Sequence, residues 1–516
     1  MSHPSHLNRT TRAAALTELR DGEPLDVLVV GGGVTGAGAA LDAASRGLRT
    51  ALVERRDLAH GTSRWSSKLV HGGLRYLASG AVGIAMESAR ERGVLLERTA
   101  PHLVRPIRQV VPLTPGVPRS VERRSSVGLH LGDGLRRAAG TPARELPRVH
   151  RADPAEMLEI APGVRRDRLR GGLVAWDAQL EDDARLVVGL ARTAAAHGAH
   201  IATRCGVVEA APGGARVRDE LTGETFDVRA RTVINATGVW AGDLDPALHM
   251  RPSRGSHLVV SLRSLGGLAG ILSVPVPGDA SRFVFAIPQR SGLAYVGITD
   301  EPITGALPEV PEAPATDVAF LLETISGALE VPLTDADVLG TYAGLRPLVD
   351  GAPGTRTADL SREHVVLRGS GGLVSVVGGK LTTYRRMAED AVDAAVDTGG
   401  LRAGPCRTAD LPLVGAASRA ALAAVPAPGR LVDRHGTEAP AVLALAAGDP
   451  ELLAPLAPGL DVLRVEVLHA MRAEGALDAD DVLDRRTRIG LVPATRDLVA
   501  PRVRTLVAAS AHLVAA

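Results

Sequence analysis

Lysine is nearly absent from this 516-residue chain: 57 of its 59 basic residues are arginine, and the two lysines are Lys68 and Lys380. Asparagine is as scarce, with only Asn8 and Asn235, and aromatic residues make up 2%. Such depletion, beside heavy use of Ala, Val, Leu, Gly and Arg, marks a coding bias that replaces residues wherever replacement is tolerated. Positions that resist it are therefore informative. The formal net charge is +1, which removes a global electrostatic case for nucleic acid, and no local platform of aromatic and basic residues supplies one. Cys205 and Cys406 are the only cysteines and lack metal-ligand spacing, so neither a disulfide framework nor a metal site is expected and a reducing cytosol fits. The opening MSHPSHLNRTTRAAALTELR has no hydrophobic signal core, and no apolar run reaches the roughly 18 residues of a membrane span. Any membrane contact is expected to be peripheral.

What is present points to a nucleotide. At this length and 45% hydrophobic content the chain can bury a large core, in two or three domains. DVLVV, residues 26 to 30, is a short apolar run ending in glycine, as a buried parallel strand should be. GGGVTGAGAALDAASRG then reads as a tight turn into an Ala-rich helix, and LRTALVE as a second strand. Gly31, Gly33 and Gly36 form G-x-G-x-x-G, and Glu54 lies 18 residues beyond Gly36 at the end of that strand. One glycine allows the turn, one admits a pyrophosphate, and one lets helix and strand pack. The phosphates would sit at the helix start, at Val34 and Thr35, where free N–H groups and the helix dipole favour negative charge. Glu54 would accept hydrogen bonds from a ribose; an acid at this place argues against a 2′-phosphate and leaves FAD or NAD.

Two later stretches repeat the strand-to-glycine pattern. ARTVINATGVWAG runs into Ala236, Thr237 and Gly238, and GLVSVVGGKLTTYRRMAEDAVDAAV carries Gly379, Lys380, Leu381 and Thr382 at its turn. Three such turns over 350 residues imply a discontinuous nucleotide-binding domain of residues 20–104, 171–252 and 341–397. SHLVVSL, RFVFAIP and LAYVGITD read as short strands of an antiparallel substrate-side sheet, assigned to residues 105–170 and 253–340. From 398 to 516 the chain turns Ala/Leu/Pro-rich with helical apolar spacing and Asp478 as an N-cap, an appended helical domain.

The tracts DVLVVGGGVTGAG, SSKLVHGGLRYL, WDAQLEDDARLV, NATGVWA, RGSHLVV, YAGLRPL, VVGGKLTTYR and LDADDVLDRRTR closely resemble, in order, the FAD-dependent glycerol-3-phosphate dehydrogenases, from about residue 25 to 492. The resemblance implies an α/β fold with a Rossmann-like FAD-binding domain of D-amino-acid-oxidase and glutathione-reductase type, an antiparallel-sheet substrate domain and a C-terminal helical domain. It implies noncovalent FAD, oxidation of sn-glycerol 3-phosphate to dihydroxyacetone phosphate, and electrons passed to a membrane quinone. Trp176 stands where the family commonly has tyrosine, and no EF-hand loop is present, so calcium regulation is not expected.

By the same resemblance FAD would contact Gly31, Gly33, Val34, Thr35, Gly36, Glu54, Arg55, Thr62, Ser63, Ser66, Ser67, Lys68, Leu69, His71, Gly72, Gly73, Val207, Ala236, Thr237, Gly238, Gly379, Lys380, Leu381 and Thr382. Hydride transfer from a secondary alcohol needs a flavin N5 facing the carbon, a proton acceptor, and cations for the phosphate. Arg75, Arg346 and Lys380 are the phosphate cations, with Arg362 and Tyr76 assisting. His71 and His257 are the alternative bases, since imidazole titrates near neutral pH. A compact ammonium differs from a guanidinium fork, which is a reason for Lys68 and Lys380 to resist the bias toward arginine. Residues 105 to 170 hold 14 arginines, no lysine and seven acids, a local charge of +7 that either binds anionic headgroups or is a solvated face. The expected location is the cytoplasm, peripheral to the inner face of the membrane; a homodimer is left open. Three other readings stand beside this one: a glycerol-3-phosphate oxidase using O₂, an amino-acid oxidase of the same fold, and a flavin-binding protein without catalysis.

Overall fold

The computed structural model describes residues 3–73, 81–349 and 363–513. Its first sheet has the order His364–Arg368, Leu373–Gly378, Thr225–Asn235, Leu25–Val30, Thr50–Glu54, His200–Thr203, with the hairpin Cys205–Ala211 and Gly214–Asp219 attached to Thr225–Asn235. The strands from Leu373–Gly378 to His200–Thr203 run parallel, and His364–Arg368 is an antiparallel edge. Parallel strands are covered on both faces, which is why DVLVV shows no polar alternation. Val27 and Val29 enter one core, Leu28 and Val30 the other.

The helix Val34–Ser45 lies on the first face, packed between Asp183–Ala196 and Tyr384–Gly399. Its run of Ala and Gly allows that close approach: a Cβ at Gly38 would lie 2.9 Å from the Tyr384 ring. Helix Arg9–Asp21, entered through the Asn8 cap, covers the other face with Ala15 and Leu19.

The second sheet joins ten strands, among them Ser253–Ser261 at the centre of a group with Leu293–Gly297 and Val338–Arg346, and Val104–Pro112 beside Gly172–Leu180. Its pairings are antiparallel except that of Ile271–Val276 with Val104–Pro112. Helix Ala315–Ser326 closes one face through Leu321 and Ile325. The sequence boundaries at 171 and 341 cut through this sheet: Gly172–Leu180, most of Val338–Arg346 and the short Leu69–Val70, all given to the nucleotide-binding domain, pair here instead. Long-range pairing decides the matter, and the local pattern of a mostly buried strand does not reveal its partner.

The C-terminal domain is helical, built around Val467, Met471, Val482, Leu483, Val499 and Val503. Asp478 caps the helix Ala479–Asp481 by accepting the Asp481 N–H at 2.8 Å. Ion pairs dock the domain on the first: the buried Arg486 on Asp57 at 2.9 Å and Arg185 on Glu474 at 2.7 Å, and Arg192 on the partly buried Glu438 at 2.6 Å. Among the described residues no helix is long and apolar enough to cross a membrane.

Candidate functional site

Strand Leu25–Val30 ends in a turn that only glycine can make. Gly31 has φ +108°, and a Cβ there would lie 2.6 Å from the Ala236 carbonyl; one on Gly36 would lie 1.9 Å from the carbonyl of Gly31. Gly33 differs, since its missing Cβ would meet only Ser63 Oγ, at 3.1 Å. It opens onto a cavity of about 1150 Å³, also lined by Gly31, Val34, Thr35, Glu54, Arg55, Val207, Thr237 and Gly238. Small-molecule pockets span roughly 300–1,000 Å³, so this one has the size a dinucleotide requires. Gly33 caps the helix, placing its first N–H groups at the cavity, and Ser63 Oγ accepts that of Val34 at 2.8 Å. The Glu54 carboxylate is fixed by the N–H groups of Gly32 at 2.6 Å and Arg56 at 2.7 Å. A glycine cradle, a helix start and an oriented acid fit FAD.

Asn235 shows why an asparagine withstood the composition. Fully buried, it donates to the Ala241 carbonyl at 2.9 Å and accepts the Thr237 hydroxyl at 2.7 Å. The amide gives through its nitrogen and receives through its oxygen at once, which an aliphatic or ionised side chain cannot do. Thr62 Oγ1 donates to the Leu345 carbonyl at 2.6 Å, tying the cavity wall to the second sheet.

The other end of the cavity is made by side chains from both sheets. Ser66, Ser67, Leu69 and His71 face it from one segment, and Gly379, Lys380, Leu381 and Thr382 from another; Thr382 Oγ1 accepts the His71 N–H at 3.1 Å and joins the two. Arg346, at the end of its strand, donates to Asp300 and Ser253 at 3.1 Å and to the Thr299 carbonyl at 2.8 Å. Lys380 Nζ lies 2.8 Å from Ser88 Oγ. His71 Nδ1 is 3.5 Å from the buried Asp177 carboxylate. Burial pushes the Asp177 carboxyl up, but Arg92 and His71 bring it below the usual range.

Five expected site residues do not reach the cavity. Lys68 is 1% exposed and turned into the protein, where Nζ donates to the carbonyls of Arg64 at 3.0 Å and Ser66 at 2.8 Å and pairs with Asp183 at 3.1 Å. His257 is fully buried, stacked on Tyr342 with centroids 4.6 Å apart. Burial, with Lys68 and Arg346 nearby, drives its pKa well below the ordinary value, so it is a neutral ring that holds the Ser67 hydroxyl at 2.8 Å. Gly72 and Gly73 instead make room for a helix: a Cβ would lie 2.3 Å from Arg92 Nη1 at the first and 2.9 Å from Ala85 at the second. Gly36 likewise acts through packing and does not line the cavity. Arg75, Tyr76 and Arg362 lie outside the described residues. Gln109, Phe283, Phe285, Thr299 and Asp300 line the cavity unannounced. The available signal was scarcity, because Phe283 and Phe285 are two of only four phenylalanines.

Residues 26–385 match the FAD dependent oxidoreductase family, and residues 406–513 match the C-terminal domain of alpha-glycerophosphate oxidase. The chain is 52% identical to glycerol-3-phosphate dehydrogenase 1 of Mycobacterium tuberculosis, covering 97% of this chain and 98% of that protein. It is 35% identical to the mitochondrial glycerol-3-phosphate dehydrogenase of Macaca fascicularis, over 95% of this chain and 71% of that protein. The crystal structure of glycerol-3-phosphate dehydrogenase from Bacillus halodurans complexed with FAD superposes with a TM-score of 0.73 at 27% identity, covering 98% of this chain and 97% of that one. With the glycine cradle, Glu54 and the helical C-terminal domain in place, the chain belongs to the FAD-dependent glycerol-3-phosphate dehydrogenase family, and FAD is its cofactor.

Proposed function

We propose that the chain oxidises sn-glycerol 3-phosphate to dihydroxyacetone phosphate and delivers the electrons to a membrane quinone. The observation that carries this reading is the convergence of Arg346, Lys380 and His71 on the cavity that also holds the nucleotide cradle. Arg346, held by Asp300, Ser253 and the Thr299 carbonyl, presents a planar fork suited to a phosphate, and Lys380 adds a point charge. His71, oriented through Nδ1 by Asp177, has Nε2 left to take the alcohol proton. Bound FAD supplies the hydride acceptor. An amino-acid substrate would need a carboxylate clamp and gives no reason for this group of cations.

The helix Arg119–Ala138 supports the quinone reading. Arg124, Ser125, Gly128 and Leu129 line the cavity mouth, while Val127 and Leu131, 60% and 56% exposed, follow Arg123 along one outer stripe. A basic and apolar stripe beside an opening suits an interfacial helix serving a lipid-soluble acceptor. Part of the local charge is taken up inside the fold, since Glu122 gathers Arg119, Arg151 and Arg170. The chain would thus work peripherally at the cytoplasmic face of the membrane.

Turnover of glycerol 3-phosphate with a soluble quinone analogue, measured beside oxygen uptake, tests the assignment. Quinone reduction should dominate; oxygen uptake at an equal rate would identify an oxidase, and no turnover with either acceptor would refute the substrate. Sedimentation with anionic vesicles, but not neutral ones, and release at molar salt are expected for the membrane contact.

A further inference from the structure

The wall of the cavity at Ser66 and Ser67 is not held by its own domain alone. Asp183, first residue of the helix Asp183–Ala196, accepts the Ser66 N–H at 2.9 Å and the Ser66 hydroxyl at 2.7 Å on Oδ2, the oxygen that also faces Lys68 Nζ at 3.1 Å. Its other oxygen, Oδ1, accepts Arg488 Nη1 at 2.5 Å. Arg488 belongs to the C-terminal helical domain, is 8% exposed, and bridges to Asp182 Oδ1 at 3.0 Å. A second tie reaches the same turn, because the Tyr342 hydroxyl donates to the Ser66 carbonyl at 3.1 Å.

These contacts fix a backbone that does not hold itself. Lys68 has φ +55°, a left-handed conformation that a side-chain-bearing residue keeps only when its surroundings impose it. Its neighbour Ser67 lines the cavity, with its hydroxyl held by the buried His257. The run of contacts from Arg488 through Asp183 therefore ends on the cavity wall itself, at Ser66.

We propose that Arg488 is a positioning residue of the oxidoreductase site: through Asp183 it sets the Ser66–Lys68 turn, so the wall at Ser67 is complete only when the C-terminal domain is docked. This rests on the cavity being the site of flavin chemistry. Arg488 does not line the cavity, and its hydrogen bonds go to Asp182 and Asp183, of which Asp183 carries the link to the Ser66–Lys68 turn. Both carboxylates are reached from the one Nη1 atom, so an ammonium of shorter reach reproduces the bridge in part. Loss of the clamp lets the turn relax, and displacement near 1 Å in a reactive wall can cost about a hundredfold in rate.

The test uses the full chain loaded with FAD, comparing Arg488→Met and Arg488→Lys with Arg192→Met. Arg192 is an equally buried interdomain arginine whose bonds, to Glu438 and Ser5, touch no cavity residue. All three variants are expected to melt earlier. Arg488→Met should lower kcat about ten- to hundredfold with KM for glycerol 3-phosphate changed less than about threefold, and should shift the flavin absorption bands and midpoint potential. Amide exchange over residues 62–71 should rise, and Arg488→Lys should restore part of each change. Arg192→Met should leave kcat, spectrum and exchange at wild-type values per FAD-loaded molecule. If Arg488→Met fails to fold, Ser66→Ala, which removes one strand of the link from within the first domain, should shift spectrum and kcat in the same direction. Spectra, exchange and kcat that respond alike in Arg488→Met and Arg192→Met, or a wild-type spectrum and kcat in Ser66→Ala, would overturn the proposal. A wild-type enzyme inactive on glycerol 3-phosphate would instead refute the substrate, leaving the spectral and exchange readouts to decide the role of Arg488.

Discussion

The turn that carries Lys68 and the turn that carries Lys380 hold the only two lysines, and they use them in opposite ways. Lys68 is enclosed: two carbonyls and Asp183 receive its ammonium, and the Tyr342 ring lies 4.5 Å below it. Lys380 follows two left-handed glycines, Gly378 and Gly379, and lines the cavity beside Thr382. Arginine fails at the first place because a planar fork does not fit a closed cage built for a compact ion. At the second it would change where a cation stands against a substrate. Scarcity thus marked two constrained positions, and only the structure separates a constraint of packing from one of chemistry.

The largest expected effect breaks the pair apart by activity. Lys380→Arg keeps the charge, yet a broader group at the cavity wall should lower kcat/KM for glycerol 3-phosphate by roughly ten- to a thousandfold, about 1.4 to 4 kcal/mol, with FAD content unchanged. Steady-state kinetics and the flavin absorbance of the same preparation check both halves. Wild-type kinetics would return Lys380 to the class of tolerated surface cations.

Next in size, Lys68→Met should act on stability. It leaves the Arg64 carbonyl without its donor and takes the cation from Asp183 Oδ2, which keeps only the two Ser66 donors, and losing one partner of a buried pair costs about 3–5 kcal/mol. Asp183 keeps Arg488, so a loss of about 3 kcal/mol is expected in denaturant titration. Lys380→Met should change stability by less than about 1 kcal/mol in the same experiment, because its head group lines a cavity. Equal losses would erase the distinction.

The sequence was legible where the backbone makes the site. Gly31 needs a positive φ and Gly36 a missing Cβ, and such demands leave glycines at fixed spacing along one stretch of chain. The family resemblance placed Lys380, Arg346 and His71, and the structure brings all three to one cavity. What stayed hidden depends on pairing between distant strands. His257 reads as a candidate base from its type alone, but its register opposite Gly297 and Tyr342 buries it; a Cβ on Gly297 would lie 2.2 Å from its ring. Asp177, Asp182 and Asp183 were within a quoted tract, yet nothing local says that the first orients His71 while the other two receive Arg488. Gln109, Phe285 and Asp300 reach the cavity only because the second sheet folds strands together from over 190 residues of sequence.

The smallest expected effect isolates Lys68 by pH. Burial, and then the Arg488 charge, lower its pKa from the usual 10.5 to about 7. Between these values the unfolded chain binds the proton and the folded chain releases it, so stability rises with pH through the window from about 7 to 10.5; below 7 both states are charged and the slope ends. Other shifted groups, the raised Glu54 and Glu466 among them, are shared by the wild type and both variants, so the difference between slopes isolates Lys68. His60, lowered to about 4, and His102, lowered to about 3, add a rise that fades only above the ordinary imidazole value of 6.5. Cys205, raised to about 12, opposes Lys68 only above the ordinary thiol value of 9, and Arg64, lowered to about 9, adds to the rise only from there upward. From pH 7 to 8.5 the wild type should therefore gain about 1 to 2 kcal/mol more than Lys68→Met does, given a limiting slope of about 1.4 kcal/mol per pH unit for one proton. Lys380→Met should keep the wild-type slope and Lys68→Met should lose that part of it. Denaturant titrations at three pH values decide the matter: parallel slopes in all three proteins would mean that the Lys68 cage holds its proton as firmly as water does, and the two lysines would no longer differ in the way their surroundings require.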